Sequence, residues 1–335
     1  MISKLYEKSI NFIKQEYKFL IFCLIILVVG IFPLPVNLYI GGGIINLEKR
    51  IEIEEEYKEE GSFNLAYVKE SRATLPTYLL SFITGWDRVS IKDTKLDEND
   101  SSKDMWEREL LYLKEANDNA IINAYRLAGE EIKINSEIFQ VLYVDETADT
   151  NLAIGDEIVS IDGIEINSYD DIETVTSSKN VSDRLIIKVI RDDLEKECYA
   201  ILHDIEGEKR IGIYMIKTYD YEVERDIELK FSNREGGSSG GFMLSLAIYN
   251  RLIEEDITKG LKIVGTGTID SDGNIGEIGG VKYKLKGAVN SEADIFFVPV
   301  DNYVEAMNEK SEHNYDIEVV KVTTLQDAID YLESR

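Results

Sequence analysis

Hydrophobic positions are unevenly distributed along this 335-residue chain, and the longest apolar run lies near its start. From Phe19 to Phe32 the only polar side chain is that of Cys23, and the run continues with few interruptions to Ile40. About 20 apolar residues suffice to span a bilayer as a helix, so the pattern predicts a transmembrane signal anchor over residues 19–40. A cleaved signal peptide is the alternative, but no small-residue cleavage site follows the run.

The charges on either side of this run predict its orientation. Residues 1–18 contain Lys4, Lys8, Lys14 and Lys18, and a lysine-rich short tail is expected to stay in the cytoplasm. The sequence therefore predicts a single-pass cell membrane protein with most of the chain outside the cytoplasm.

Further along, the hydrophobic spacing changes from three and four residues to two. Apolar residues between Asp104 and Leu127 recur at helical spacing and Gly129 follows them, which predicts one long helix. Runs such as Phe139–Val144 and Leu185–Ile190 predict strands, and Ser168–Val175 opens with a cap and acidic residues suited to a short helix.

The segment Leu152–Gly163 resembles the most recognisable part of PDZ domains. Its Gly155-Asp156 pair suits a turn, and Asp162-Gly163 suits a tight hairpin connection. The resemblance implies a PDZ-like domain over residues 131–206 that captures a peptide as an added strand beside the short helix. The alternative is a PDZ fold that serves only as a spacer.

A Gly/Ser loop, Gly236-Gly237-Ser238-Ser239-Gly240-Gly241, lies between the strand-like Asp226–Phe231 and an apolar helical run that begins at Phe242. Glycines allow positive φ and close backbone approach, and the start of a helix presents unpaired N–H donors. A hydroxyl at this position is placed like a nucleophile beside an oxyanion site. A flexible linker is the alternative for so short a motif.

A candidate base lies downstream, at Lys282. Two glycines precede it, and Ile278 and Val281 supply apolar surroundings. Burial and a place in the first turn of a helix both lower a lysine pKa, so Lys282 is expected to accept a proton from a serine hydroxyl. Serine and lysine then form a nucleophile and base without histidine.

These motifs together resemble the proteolytic domain of Lon-type serine proteases. The resemblance rests on the Gly/Ser loop followed by Met243, on Gly265-Thr266-Gly267-Thr268-Ile269, and on Ile278-Gly279-Gly280-Val281-Lys282-Tyr283-Lys284. The order of tail, apolar run, PDZ-like domain and Lon-type domain is similar to that of the membrane-anchored PDZ–Lon proteins of Gram-positive bacteria.

The resemblance implies an ATP-independent endopeptidase, because no phosphate-binding loop motif accompanies it. It places the nucleophile on Ser239 and the base on Lys282, with Thr266 as the residue that holds the lysine. Gly237, Gly240 and Gly241 are expected to support the loop. The resemblance also implies possible assembly into rings.

Two positions depart from the family motif. Ser238 stands where the family has proline, and Gly240 stands where it has alanine. Ser238 is therefore a rival nucleophile.

The expected fold is α+β, with a transmembrane helix, a β-rich PDZ-like domain and a C-terminal Lon-type α/β domain. The predicted segments are a cytoplasmic tail (1–18), the anchor (19–40), a juxtamembrane region (41–130), the PDZ-like domain (131–206) and the protease domain (207–335).

The net charge and the few cysteines and histidines limit which partners and bound groups are expected. The chain has 64 acidic and 37 basic residues, a net charge of −27, which argues against nucleic acid as a partner. Cys23 and Cys198 are far apart, and His203 and His313 each stand alone, so neither a disulfide, a metal site nor a cofactor is expected. The expected partners are unfolded or extended exported proteins.

Two other functions remain open. Gly237, Ser239 and Gly241 also fit the nucleophile elbow of α/β-hydrolases, with His313 downstream in the required order. A tethered PDZ scaffold without catalysis is the non-enzymatic alternative.

Overall fold

The computed structural model describes residues 2–96, 100–205 and 207–335, with side chains described from residue 12 onward. Two compact units are present. One contains the chain up to Gly41 and the segment that begins at Val68, and the other contains Gly42–Tyr67 and the remainder of the chain.

Helices and strands are mixed throughout the described chain. As far as the first long helix of the larger unit, the elements are α1 (Ile2–Ile31), β1 (Pro33–Ile40), β2 (Ile44–Asn46), a 3-10 turn (Leu47–Lys49), β3 (Ile51–Ile53), β4 (Ser62–Ala66), β5 (Lys69–Thr74), α2 (Leu75–Thr84), β6 (Asp87–Ser90), α3 (Ile91–Thr94) and α4 (Ser102–Ala128).

Beyond α4, strands predominate before helices and strands alternate. The elements are β7 (Ile132–Val144), β8 (Glu157–Ile161), β9 (Ile164–Glu165), α5 (Tyr169–Ser177), β10 (Arg184–Arg191), β11 (Leu194–Ile201), β12 (His203–Ile205), β13 (Glu208–Arg210), β14 (Ile213–Val223), β15 (Ile227–Leu229), α6 (Gly241–Leu252), β16 (Lys262–Gly265), β17 (Thr268–Ile269), β18 (Ile275–Gly276), α7 (Val281–Asn290), β19 (Ile295–Pro299), a 3-10 turn (Val300–Asn302), α8 (Tyr303–His313), β20 (Glu318–Val322) and α9 (Leu325–Glu333).

The prediction of a transmembrane helix over residues 19–40 is wrong. The apolar run divides at Pro33, because proline cannot continue the hydrogen bonding of a helix and the chain beyond it is extended. Residues 33–40 form β1, the central strand of an antiparallel sheet in the order β5-β1-β6. Among the described residues, no helix combines the length and apolar character needed to cross a bilayer.

The strands predicted from the period of two are confirmed. They form an antiparallel sheet in the order β11-β10-β8-β7-β14, with β9 paired to β8. In β10, Leu185, Ile187 and Val189 are buried while the residues between them are exposed, as the alternation requires. The turns also match, since Asp162 and Gly163 both have positive φ, at 49° and 81°.

A second sheet has the order β2-β4-β16-β19-β20 and is parallel except for β2. Its strand β4 comes from the segment predicted as juxtamembrane, so the C-terminal fold is not confined to residues 207–335. In this pairing Ser62 lies beside Lys262, 200 residues away in sequence. A short strand has no local sequence pattern that identifies so distant a pairing partner.

The long helix α4 joins the two sheets. Its start is capped by Ser101, whose hydroxyl accepts the N–H of Asp104, and Gly129 ends it with φ +74°. α4 packs against β7 and β14 of the antiparallel sheet and against α6. The helix predicted over residues 104–127 is therefore confirmed. Its position between the antiparallel sheet and α6 is a result of tertiary packing.

Candidate functional site

The Gly/Ser loop leads directly into α6, and every residue of that helix is buried. Gly237 has φ +88°, a conformation that favours glycine, and its N–H donates to the carbonyl oxygen of Glu109 on α4 at 2.8 Å. The carbonyl oxygen of Gly240 accepts the N–H of Leu244 at 3.0 Å. The loop is thus fixed to a helix at each end and does not behave as a linker.

At two further glycines of the loop, the side chain of any larger residue would collide with neighbouring side chains. A Cβ at Gly240 would lie 2.8 Å from Leu65 Cδ2, and one at Gly241 would lie 2.9 Å from Ile269 Cγ2 and 3.3 Å from Ala116 Cβ. The glycines predicted to support the loop therefore let three neighbouring elements approach it closely.

Thr266 connects this loop to the next strand. Its hydroxyl donates to the carbonyl oxygen of Ser239 at 3.1 Å, and the N–H of Gly267 donates to the same oxygen at 2.9 Å. Thr266 is fully buried, while Ser238 and Ser239 are partly exposed. The structure therefore brings Thr266 against the backbone of Ser239.

The lysine at this site is Lys284. Its Nζ donates to Thr266 Oγ1 at 3.0 Å, and only 3% of the residue is exposed. Burial lowers the pKa of Lys284 from 10.5 to about 8, because the charged form loses its hydration. Lys282 is half-buried, with its Nζ 4.9 Å from the ring centre of Tyr283.

The sequence predicted that Thr266 contacts Lys282. In the structure Thr266 contacts Lys284, which lies two residues further along α7. Residues two apart on a helix point in different directions. Val281, Leu285 and Ala288 are buried at the spacing of one helix face, and that face includes position 284 but not position 282. Helical periodicity over α7 was the sequence signal that could have identified Lys284.

The polarity of these hydrogen bonds matters for chemistry. A threonine hydroxyl has one hydrogen, which Thr266 gives to the Ser239 carbonyl, so its oxygen accepts from Lys284. When the lysine is neutral, it therefore keeps its lone pair free. The arrangement can hold an amine in place and leave it able to accept a proton.

His313 lies in a different environment. It is exposed at the end of α8, where its Nδ1 lies 3.2 Å from Glu309 Oε1 and its ring stacks on Tyr315. Within the described residues its recorded contacts stay close to α8 and do not reach Ser239. This placement gives no support to the alternative in which His313 pairs with Ser239 as in an α/β-hydrolase.

A second candidate site is the outer edge of β14, the last strand of the antiparallel sheet. The first residue of α5, Tyr169, packs edge-on against Phe139 of β7 at 4.7 Å, while Lys209 of β13 donates to the carbonyl oxygen of Ser177 at the helix end. Ile172 and Met215 are partly buried against the same core. These contacts place α5 against β7 and β13, and the space between α5 and the end strand β14 is the candidate peptide groove.

Acidic side chains of α4 lie at the far end of this groove. Asp118 is 7% exposed and accepts the backbone N–H of Tyr219 at 3.0 Å. Burial raises the pKa of Asp118 to about 6, and burial together with the nearby Asp118 charge raises that of Glu115 to about 7. Neither residue is identifiable from the sequence, because their burial depends on packing against β14.

Comparison with known proteins bears on the second site. The sequence model described as "PDZ domain" matches residues 111–201, which include most of α4 and the whole of α5 and end before β14. No curated protein matches the chain.

Among solved structures, the PDZ domain of an SdrC-like protein from Listeria monocytogenes is 27% identical, with 25% of this chain and 93% of that one covered at a TM-score of 0.23. The PDZ domain of an SdrC-like protein from Listeria innocua is 30% identical, with 23% and 92% covered and a TM-score of 0.21. A solution structure from Geobacillus thermodenitrificans is 29% identical, with 20% and 78% covered and a TM-score of 0.19. The family match carries the assignment: a PDZ domain is present in this chain, and residues 111–201 match its sequence model.

Proposed function

We propose that this protein is a serine endopeptidase that cleaves extended polypeptides without ATP and recruits them through its PDZ domain. The observation that carries the proposal is the connection from Lys284 through Thr266 to the Ser238-Ser239 loop. The exported or unfolded proteins expected from the sequence are the proposed substrates.

In the proposed reaction a hydroxyl of the loop attacks the peptide carbonyl carbon. Ser239 is the residue that the sequence predicts, and Ser238 is its immediate rival. The hydroxyl proton passes to Lys284 Nζ as the new C–O bond forms, and Lys284 then returns it to the leaving amine. Water then attacks the acyl-enzyme carbonyl with Lys284 as the base, the ester C–O bond breaks, and the second fragment is released as the serine regains its proton.

The burial of Lys284 supports its role as the base. With a pKa of about 8, roughly one-tenth of the side chains are neutral at pH 7, whereas an ordinary lysine is almost entirely charged. Thr266 acts as a positioning residue, because its hydroxyl accepts from Nζ and so directs the lone pair elsewhere.

The loop before α6 supports stabilisation of the oxyanion. The N–H groups of Gly241 and Phe242 already donate to the carbonyl oxygens of Ser238 and Gly267, at 3.1 and 3.2 Å, so the N–H groups of the Ser239 loop are the proposed donors, beside the partial positive charge of the helix start. Donors aimed at the developing charge are usually among the largest contributions to acyl-transfer catalysis. Gly240 and Gly241 let β4, β17 and α4 pack closely against this loop, which holds its backbone in place.

The PDZ domain supports a role in peptide capture. PDZ domains take an extended peptide as an additional strand on a sheet edge. In this chain β14 is the end strand that offers such an edge, and α5 packs on the adjacent strand β7 through Tyr169 and Phe139. The same strand leads through β15 into the Gly/Ser loop, so recruitment and cleavage are combined in one unit.

The test compares single variants on an unfolded, fluorescently labelled casein. Lys284→Met is expected to lower the rate at least 1,000-fold, roughly the loss seen on removing a nucleophile or its base. Lys282→Met is the matched control and should retain activity. Of Ser238→Ala and Ser239→Ala, one should abolish cleavage and labelling by a serine-reactive phosphonate, and the other should not.

A PDZ scaffold without catalysis is the second candidate, and the PDZ domain itself favours it. Peptide binding together with full resistance to the phosphonate at both serines would establish the scaffold. Loss of cleavage in Lys282→Met with full activity in Lys284→Met would instead overturn the assignment of the base.

A further inference from the structure

We propose that Asp118 closes the peptide-binding edge of β14 at Tyr219, so that the PDZ groove pairs with only a short extended segment. This inference rests on the proposed capture of peptides by the groove between α5 and β14. The feature that carries it is a side chain of α4 already bonded to the strand edge.

The hydrogen-bond pattern of an antiparallel sheet fixes which backbone groups face the groove. Along such a strand, N–H groups point alternately towards the paired strand and away from it. The N–H of Tyr219 points away from β7, because it donates to Asp118. No register shift separates Met215 from Asp220, so Met215 and Lys217 present their N–H groups on the same outer edge.

The open part of this edge is short. It ends at Asp118 on one side, and on the other side the pairing of β14 with β7 is irregular between Tyr214 and Met215. Two outward-facing residues can exchange hydrogen bonds with a peptide segment of roughly four or five residues, counting its flanks. A longer peptide must leave the sheet at Tyr219.

The chemistry of the groove defines the occupant. Met215 and Ile213 of β14 and Ile172 of α5 are partly buried against the domain core and partly open. Alternate side chains of an added strand point to one face. The occupant is therefore a short extended peptide with apolar side chains at alternate positions.

Asp118 is a specific stop because of its burial. Asp118 is only 7% exposed, and its carboxylate accepts the N–H of Tyr219. A peptide that took this N–H would leave the carboxylate buried without that hydrogen bond. Leaving a buried acceptor unsatisfied is costly, so displacement by a peptide carbonyl is unfavourable. The edge is consequently closed before any peptide binds.

The test uses the full chain and a series of fluorescent peptides of three to nine residues with alternating leucine and serine. For the wild type, affinity should rise up to about five residues and then stay constant. Asp118→Ala frees the Tyr219 N–H, so peptides of seven to nine residues should gain about fivefold, the effect of one further hydrogen bond. No gain would mean that α4, which also packs against β14, ends the edge without the carboxylate, and would overturn the proposal. Asp118→Asn is the matched control, since its amide oxygen still accepts that bond and the plateau should remain.

Amide hydrogen exchange on the wild type gives a second measurement that needs no variant. A nine-residue peptide should protect the amides of Met215 and Lys217 and leave the protection of Tyr219 unchanged. New protection at Tyr219, or affinity that grows steadily to nine residues in the wild type, overturns the stop. Absence of protection at Met215 and Lys217 with every peptide instead overturns peptide capture by β14, and with it this inference.

Discussion

Replacement of Lys284 by methionine is expected to stabilise the protein at pH 7 although it removes the proposed base. The lysine is 3% exposed, and its pKa falls from 10.5 to about 8 on folding. At 1.36 kcal/mol per pKa unit, keeping this group charged in the folded state costs about 3 kcal/mol at pH 7.

Methionine removes that cost while filling a similar volume. The variant loses the hydrogen bond to Thr266, worth about 1 kcal/mol, but the Thr266 hydroxyl still donates to Ser239. The expected net effect is a free energy of unfolding about 2 kcal/mol higher at pH 7.

The pH dependence gives the sharper test, and its sign follows from linkage. Between pH 8 and 10.5 the unfolded lysine binds more protons than the folded one, so the stability of the wild type rises with pH over this range. Methionine does not titrate, and the other titrating groups are common to both proteins. The advantage of Lys284→Met should therefore shrink by about 3 kcal/mol and reverse by about pH 11.

Urea unfolding at several values from pH 7 to pH 11, followed by circular dichroism, measures this difference. Lys282→Met is the control: it makes the same substitution two residues away on α7, at a half-buried position, and should change stability by less than about 1 kcal/mol. A Lys284→Met protein that is less stable than the wild type at pH 7, with a difference independent of pH, would refute the reasoning.

Three further predictions concern other buried contacts. Thr266→Val removes the acceptor for Lys284, so the casein rate should fall roughly 10- to 100-fold while phosphonate labelling persists at a lower rate. Gly265→Ala places a Cβ 2.9 Å from the Cβ of Phe297 and 3.0 Å from the carbonyl oxygen of the same residue in β19. The free energy of unfolding, measured in urea, should fall by about 1–3 kcal/mol. Asp100→Ala leaves the guanidinium of Arg108, 4% exposed and 2.9 Å from Asp100 Oδ1, without its bidentate carboxylate, so unfolding should require about 3–5 kcal/mol less.

The sequence by itself determined the features that depend on neighbouring residues. The bounds of α4 follow from Ser101, Asp104 and Gly129, which cap and end the helix locally. The alternation in β10 and the Asp162-Gly163 turn likewise predicted the strands of the PDZ domain. The Gly/Ser loop before α6 was also visible, because glycine and an apolar helix are both local signals.

Only the tertiary structure decided which distant groups meet. Apolar character alone did not distinguish a helix across residues 19–40 from a helix that gives way at Pro33 to a paired strand. The pairing of β4 with β16 joins residues 200 positions apart. No local pattern encodes such partners, because pairing is settled by burial and hydrogen bonding in the completed sheet.

The choice between Lys282 and Lys284 shows the same division at one site. Both follow the paired glycines, and both lie on α7. Only packing of the face formed by Val281 and Leu285 places Lys284 against Thr266, where loss of water lowers its pKa. Sequence specified a helix carrying two amines, and the surrounding protein determined which amine is buried.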